Sequence, residues 1–258
     1  MVKTIILCGG QGTRLREETE YRPKPMVEIG GKPILWHIMK LYAHHAFDDF
    51  ILALGYRGHM IKEYFLQYRA MNSDFSIRVG SEHDIRFHDD ENEEVFQATL
   101  AETGLHTMTG GRVLRAAKYV DDDTFMMTYG DGVADLNIAD LMRFHKSHGK
   151  LATITTMRPM SRLGELEIDS NGIVNQFAEK PQSKAWASAG FFVLNRGVLD
   201  LIDGDDCVFE KEPLERLARD RQLCAYRHEG AFYAMDTYRE FIFLNQLWDQ
   251  GKAPWKVW

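Results

Sequence analysis

Three glycines within four residues, Gly9, Gly10 and Gly12, follow the apolar run Ile5-Ile6-Leu7 and lead into Thr13 and Arg14. Backbone without Cβ atoms comes close to a ligand, and successive N–H groups in such a turn face anionic oxygens. The spacing excludes the dinucleotide fingerprint, because Leu15 stands where its third glycine belongs, and excludes the P-loop for want of that motif's lysine. A tight strand-to-loop turn is the plain alternative, and Arg14 weighs against it by placing a cation beside the turn. Ten residues on, Pro23-Lys24-Pro25 holds a lysine between two prolines, which stiffen the chain and fix where the ammonium points. Two acids complete the set. Asp131, in Gly130-Asp131-Gly132, follows an apolar strand and falls at its C-terminal end, where open α/β sheets place ligands. Asp236 precedes a helix and reads as its N-cap, with Thr237-x-x-Glu240 competing for the cap. Cations beside a glycine turn suit phosphate binding.

Further groups accompany these. Glu179-Lys180-Pro181 is another charged pair stiffened by proline, for which a surface ion pair is the plain reading. Gly190, ahead of Phe191-Phe192-Val193-Leu194, marks a close approach to a strand. Thr109-Gly110-Gly111-Arg112 opens a helical pattern whose first N–H groups would face a base edge or a phosphate, or simply start a helix.

The elements that position these groups follow from periodicity. Lys3–Leu7, Phe50–Leu54, Phe125–Tyr129 and Ala152–Thr156 read as strands, and Pro33–His45, Met60–Tyr68 and Ile138–His148 as helices. This alternation predicts an α/β fold with a Rossmann-like, mixed but mainly parallel sheet flanked by helices. After residue 157 shorter elements take over: Gly164–Ile168 alternates, Asn171-Gly172 marks a hairpin and Gly190–Leu194 is an apolar strand, which predicts antiparallel additions in the C-terminal half. Ser81–Thr107 carries His83, Asp84, Asp89, Asp90, Glu91, Glu93 and Glu94 with few apolar residues and reads as an excursion from the core, with strand structure within it left open. A single domain over 1–258 is expected, with 1–157 as the phosphate-binding half and 158–258 as the other half and C-terminal extension.

Composition bounds the partners. The 258 residues hold 31 Lys+Arg against 38 Asp+Glu, a net charge of −7, which argues against nucleic acid. Cys8, Cys207 and Cys224 are odd in number and widely spaced, and the N-terminal apolar run is too short for a signal or membrane segment, so a cytosolic address is expected. His145-x-x-His148 has no Cys or carboxylate at zinc-ligand spacing. Trp248, Trp255 and Trp258 must pack on the domain or on a neighbouring subunit.

With G-G-x-G-T-R-L and x-P-K-P-M in view, the sequence resembles the sugar-phosphate nucleotidyltransferase family, which joins a nucleoside triphosphate to a sugar 1-phosphate. The resemblance runs along nearly the whole chain. The strings Met26–His37, Met108–Arg112, Tyr129–Asp135 and Gly251–Lys256 look most like the branch that uses CTP and glucose 1-phosphate, giving CDP-glucose for surface polysaccharide synthesis. It implies Arg14, Lys24, Asp131 and Asp236 as catalytic residues, with Asp131 and Asp236 holding Mg²⁺. It also implies nucleotide contacts from Leu7, Gly9, Gly10, Gly12, Thr13, Thr103, Gly104, Thr109, Gly110, Arg112 and Gly130, with Arg112 at the base. Glu179, Lys180 and Gly190 would meet the sugar phosphate, and 158–258 would be the sugar-binding half of a homo-oligomer. UTP or dTTP, another sugar 1-phosphate, a metal-dependent glycosyltransferase and a non-catalytic sugar-nucleotide sensor remain the alternatives.

Overall fold

A computed structural model of the chain describes residues 2–80, 84–88, 96–161 and 163–258. Numbering only the main-sheet strands and the helices of eight residues or more, the strands are β1 Thr4–Leu7, β2 Asp49–Leu54, β3 Gln97–Glu102, β4 Thr124–Tyr129, β5 Ala152–Met157, β6 Ala187–Asn195 and β7 Leu223–Arg227. The helices are α1 Ile34–His44, α2 Gly58–Leu66, α3 Thr109–Ala116, α4 Ile138–His148, α5 Glu212–Arg219 and α6 Tyr238–Asp249.

The strands form one sheet in the order β7-β5-β6-β4-β1-β2-β3. All pairings are parallel except the two made by β6, which runs against both β4 and β5. The expected mixed, mainly parallel sheet is therefore present, with one antiparallel strand inside it. Strands of a sheet covered on both faces are apolar throughout, and all six residues of β2 are buried. Alternate residues feed two cores: Ile6 packs with α1, α4 and α6 residues such as Ile38, Leu141 and Leu244, while Ile5 and Leu7 pack with Val113 of α3 and Leu217 of α5. Helices thus cover both faces, and β1 and β4 lie side by side where the chain order reverses, the crevice in which such sheets bind ligands.

Three expectations need correction. The helix expected over Met60–Tyr68 is α2, which ends at Leu66, with a separate short turn over Tyr68–Asn72. The excursion expected over Ser81–Thr107 contains β3, an edge strand paired in register with β2, because Ala98, Leu100 and Ala101 supply apolar contacts that the acidic stretch before them obscures. His83, Asp89, Asp90, Glu91, Glu93 and Glu94 fall outside the described residues. The Asn171-Gly172 turn joins strands Glu165–Ile168 and Val174–Ala178, but these form a two-stranded sheet of their own, with Asp169 Oδ1 accepting from the Asn171 and Ile173 N–H groups.

Candidate active site

The glycine loop hangs from the end of β1 by its carbonyls. Leu7 is paired with Ala53 and Tyr129, and the Cys8 N–H donates to Ala53 O. Gly9 O accepts from the Tyr56 N–H and from Arg112 Nη2, while Gly12 O accepts from the Leu15 N–H and Thr19 Oγ1. The N–H groups of residues 10–14 donate to no protein acceptor among the described residues, so a row of donors is left for an anion. Gly12 has φ +64°, and a Cβ there would stand 2.8 Å from the Thr19 side chain. Burial pushes the Cys8 thiol well above its ordinary range, which makes it a small space-filling side chain and not a nucleophile.

Lys24 begins a one-turn 3₁₀ segment, Lys24–Met26, entered from extended Pro23. Its side chain is nearly buried, and the ammonium donates to Asp131 Oδ2 and Asp236 Oδ1, each at 2.6 Å. Arg14 Nη1 donates to the other oxygen of Asp236 at 2.8 Å. Asp131 is placed by Gly130, whose N–H donates to Leu7 O and where a Cβ would meet Leu7 O and Pro25 Cγ at 2.9 Å. Asp236 is placed by a short ladder between Phe232–Ala234 and Gly132–Ala134. The cap of α6 is the Thr237/Glu240 box, which leaves the Asp236 carboxylate to the cluster instead of to the helix end. Arg14, Lys24, Asp131 and Asp236 are therefore brought together at the C-terminal ends of β1 and β4.

The donor set fits a hard divalent cation. Two carboxylates face one ammonium, and no group of three His, Cys, Asp or Glu side chains able to hold a metal occurs here or elsewhere among the described residues, so the protein would supply only these two. An ion held by Asp131 and Asp236 would take its remaining ligands from phosphate and water.

The other expected residues are distributed as follows. Glu179 and Lys180 are exposed, with Lys180 Nζ 3.5 Å from Glu179 Oε1, the plain ion pair. Lys180 nevertheless lines a cleft of about 1100 Å³ that also takes in Arg158, Trp186, Tyr233 and Thr237, the last of these the chain neighbour of Asp236. Gly190, at φ +77°, is closely approached by the Tyr129 ring, 2.5 Å from where a Cβ would be. Arg112 is buried, and its two terminal guanidinium nitrogens donate to Leu54 O, Thr103 Oγ1, Gly104 O, Gly9 O and Leu105 O, so it braces the loop. Thr109 and Gly110 are likewise spoken for: Gly110 N–H donates to Cys207 O, and Thr109 Oγ1 donates to Glu210 Oε2 and accepts from the Phe209 N–H. The helix start is closed by the 205–210 segment. Glu210 also takes the Tyr129 hydroxyl, a contact at the mouth of β4 that no local sequence signal marks.

Comparison with known proteins agrees with this geometry. Residues 3–234 match the family model described as Nucleotidyl transferase. The chain is 51% identical over 259 residues, the full length of both, to glucose-1-phosphate cytidylyltransferase of Salmonella typhi. It is 43% identical, again over all of both chains, to the probable glucose-1-phosphate cytidylyltransferase of Bacillus subtilis strain 168. Among solved structures, HddC from Yersinia pseudotuberculosis in complex with GMP-PN superposes with a TM-score of 0.69 at 21% identity, covering 96% of this chain and 100% of that one.

Proposed function

Because the chain belongs to the nucleotidyl transferase family, we propose that it transfers CMP from CTP to α-D-glucose 1-phosphate, giving CDP-glucose and pyrophosphate. The convergence of Arg14, Lys24, Asp131 and Asp236 carries the reading, supported by full-length similarity to glucose-1-phosphate cytidylyltransferases. Mannose-1-phosphate guanyltransferases such as that of Schizosaccharomyces pombe are similar at only 31%, which favours cytidylyl over guanylyl transfer.

In-line displacement at the α-phosphorus brings two polyanions together, so charge neutralisation dominates the work. A phosphate oxygen of the sugar phosphate is ionised at neutral pH and needs no general base. The row of N–H donors at residues 10–14 holds the triphosphate, with Leu7, Gly9 and Gly130 beneath it and Thr103-Gly104 at the base end. Arg14, reaching over Asp236, neutralises the departing pyrophosphate, and Lys24 orients the α-phosphate. Magnesium, held by Asp131 and Asp236, would supply Lewis-acid polarisation of phosphate oxygens. Glu179 accepts from sugar hydroxyls and Lys180 meets the sugar phosphate at the cleft beside Thr237. In this scheme residues 1–157 bind nucleotide and 158–258 bind sugar, and the product leaves for polysaccharide synthesis in the cytoplasm.

Pyrophosphate release by the purified chain, measured with each of four nucleoside triphosphates against several sugar 1-phosphates with and without Mg²⁺, tests the proposal. Turnover is expected with CTP and glucose 1-phosphate and only with the metal. Turnover with another triphosphate and none with CTP would sink the cytidylyl assignment.

A further inference from the structure

Asp131 and Asp236 leave the same end of a ladder three residue pairs long. Ala234 pairs with Gly132, Tyr233 with Val133 and Phe232 with Ala134, and the Met235 N–H donates to Asp131 O at 2.9 Å. A two-stranded ribbon this short has little stability of its own, so its far end decides whether the register holds. A slip of one residue would send the two carboxylates to different faces.

That far end is tied by groups with no part in the charge cluster. The Asp135 N–H donates to Ala231 O at 3.3 Å, and Asp135 Oδ1 accepts from the Ala231 N–H at 2.7 Å. His228, almost buried, sets its Nε2 at 3.0 Å from the same Oδ1 and 3.2 Å from Ala231 O. Both neighbours are acceptors, so the proton sits on Nε2. The His228 N–H donates to Thr156 O at 2.8 Å, which hooks the assembly to β5 of the main sheet. Gly230 leaves the room required: a Cβ there would lie 2.3 Å from Asp135 Oδ1 and 2.7 Å from the His228 ring. Four residues of extended chain, about 13 Å, separate Asp135 from Asp131, so Asp135 reaches no reacting atom.

We propose that Asp135 and His228 are positioning residues that lock this ladder and so fix the spacing of the Asp131–Asp236 pair; the proposal rests on the reading of that pair as the holder of a divalent cation.

The test is Mn²⁺ binding to the full chain with CTP present, read by electron paramagnetic resonance, alongside pyrophosphate release. Removing a group that orients metal-holding side chains typically weakens metal affinity about 10–100-fold. Asp135→Ala is expected to weaken Mn²⁺ binding about tenfold and to lower kcat, with KM for glucose 1-phosphate little changed. Asp135→Asn, which keeps an acceptor oxygen for Ala231 and His228, should stay within about twofold of the unaltered chain. Should Asp135→Ala fail to fold, His228→Ala carries the test, with a loss of about threefold, because the Asp135–Ala231 bond survives. Folded variants that bind Mn²⁺ as tightly as the unaltered chain, or Asp135→Asn no better than Asp135→Ala, would overturn the proposal alone. An unaltered chain that binds no Mn²⁺ would remove the metal reading beneath it and the proposal with it.

Discussion

Lys24 holds apart two carboxylates that lie 107 and 212 residues from it in the chain. At 9% side-chain exposure its charge is largely removed from water, so deleting it would leave Asp131 without its cation and Asp236 with Arg14 alone. Arg14 differs. Its side chain is 71% exposed, and an ion pair in that setting adds little to stability. On the proposed function its value lies in meeting the departing pyrophosphate. Arg14→Lys keeps the charge but loses the planar fork, and turnover should fall about 100-fold while thermal stability stays within about 0.5 kcal/mol. Stopped-assay rates with a melting curve on the same preparation check both halves. At this scale the residue types were legible, because a proline-fixed lysine and an acid between glycines suggest anion chemistry from their neighbours alone. The contacts of Arg112 were not: that its two terminal nitrogens reach five protein acceptors depends on β1, β2 and β3 ending together, which no local spacing encodes.

Helix α1 carries a histidine into the core. His37 Nε2 donates to Ile29 O, its Nδ1 accepts from Trp255 Nε1, and Trp36, Trp248 and Trp258 stand around it, the packing anticipated for the tryptophan-rich tail. Burial pushes its pKa down to about 4 from the ordinary 6.5. Such a group stays neutral in the folded chain while the unfolded chain protonates, so its contribution is present above pH 6.5 and is lost as pH falls toward 4. The full loss is on the order of 3 kcal/mol. His45, His145 and His148 are lowered by burial as well and act in the same direction. The urea midpoint should drop between pH 7 and 5, and drop less in His37→Phe, which has no proton to gain. Long periodic helices such as α4 were legible to the residue from their spacing, and the structure closes α4 with an Asn137 cap and a left-handed Gly149. At the start of α3 the sequence left two readings open, because Gly110 and Gly111 signal a close approach without saying to what, and here the backbone of Asp205 and Cys207 makes one.

Across the whole molecule, apolar surface stands out at the Glu165–Ala178 hairpin, where Ile168, Ile173 and Phe177 are each about 60% exposed. A second exposed group, Phe75, Ile77 and Ile85, lies on the hairpin formed by Phe75–Arg78 and Asp84–Phe87. Faces of this kind support assembly with further copies of the chain. Analytical ultracentrifugation is expected to show an oligomer, shifted toward monomer by the pair Ile168→Glu and Phe177→Glu; a monomer at all concentrations would refute it. Fold class was legible because strand-helix alternation survives in the sequence, whereas the Asp135–His228 tie was not, since the two residues are 93 positions apart and meet only through the fold. The distance between Arg14 and Asp236, 222 positions, has a consequence in time. At roughly 5–20 residues per second, a ribosome delivers Asp236 about 10–45 s after Arg14. A nascent chain accordingly holds Arg14 and Lys24 long before it has Asp131 or Asp236, and the four-residue charge cluster closes only once residue 236 has been made.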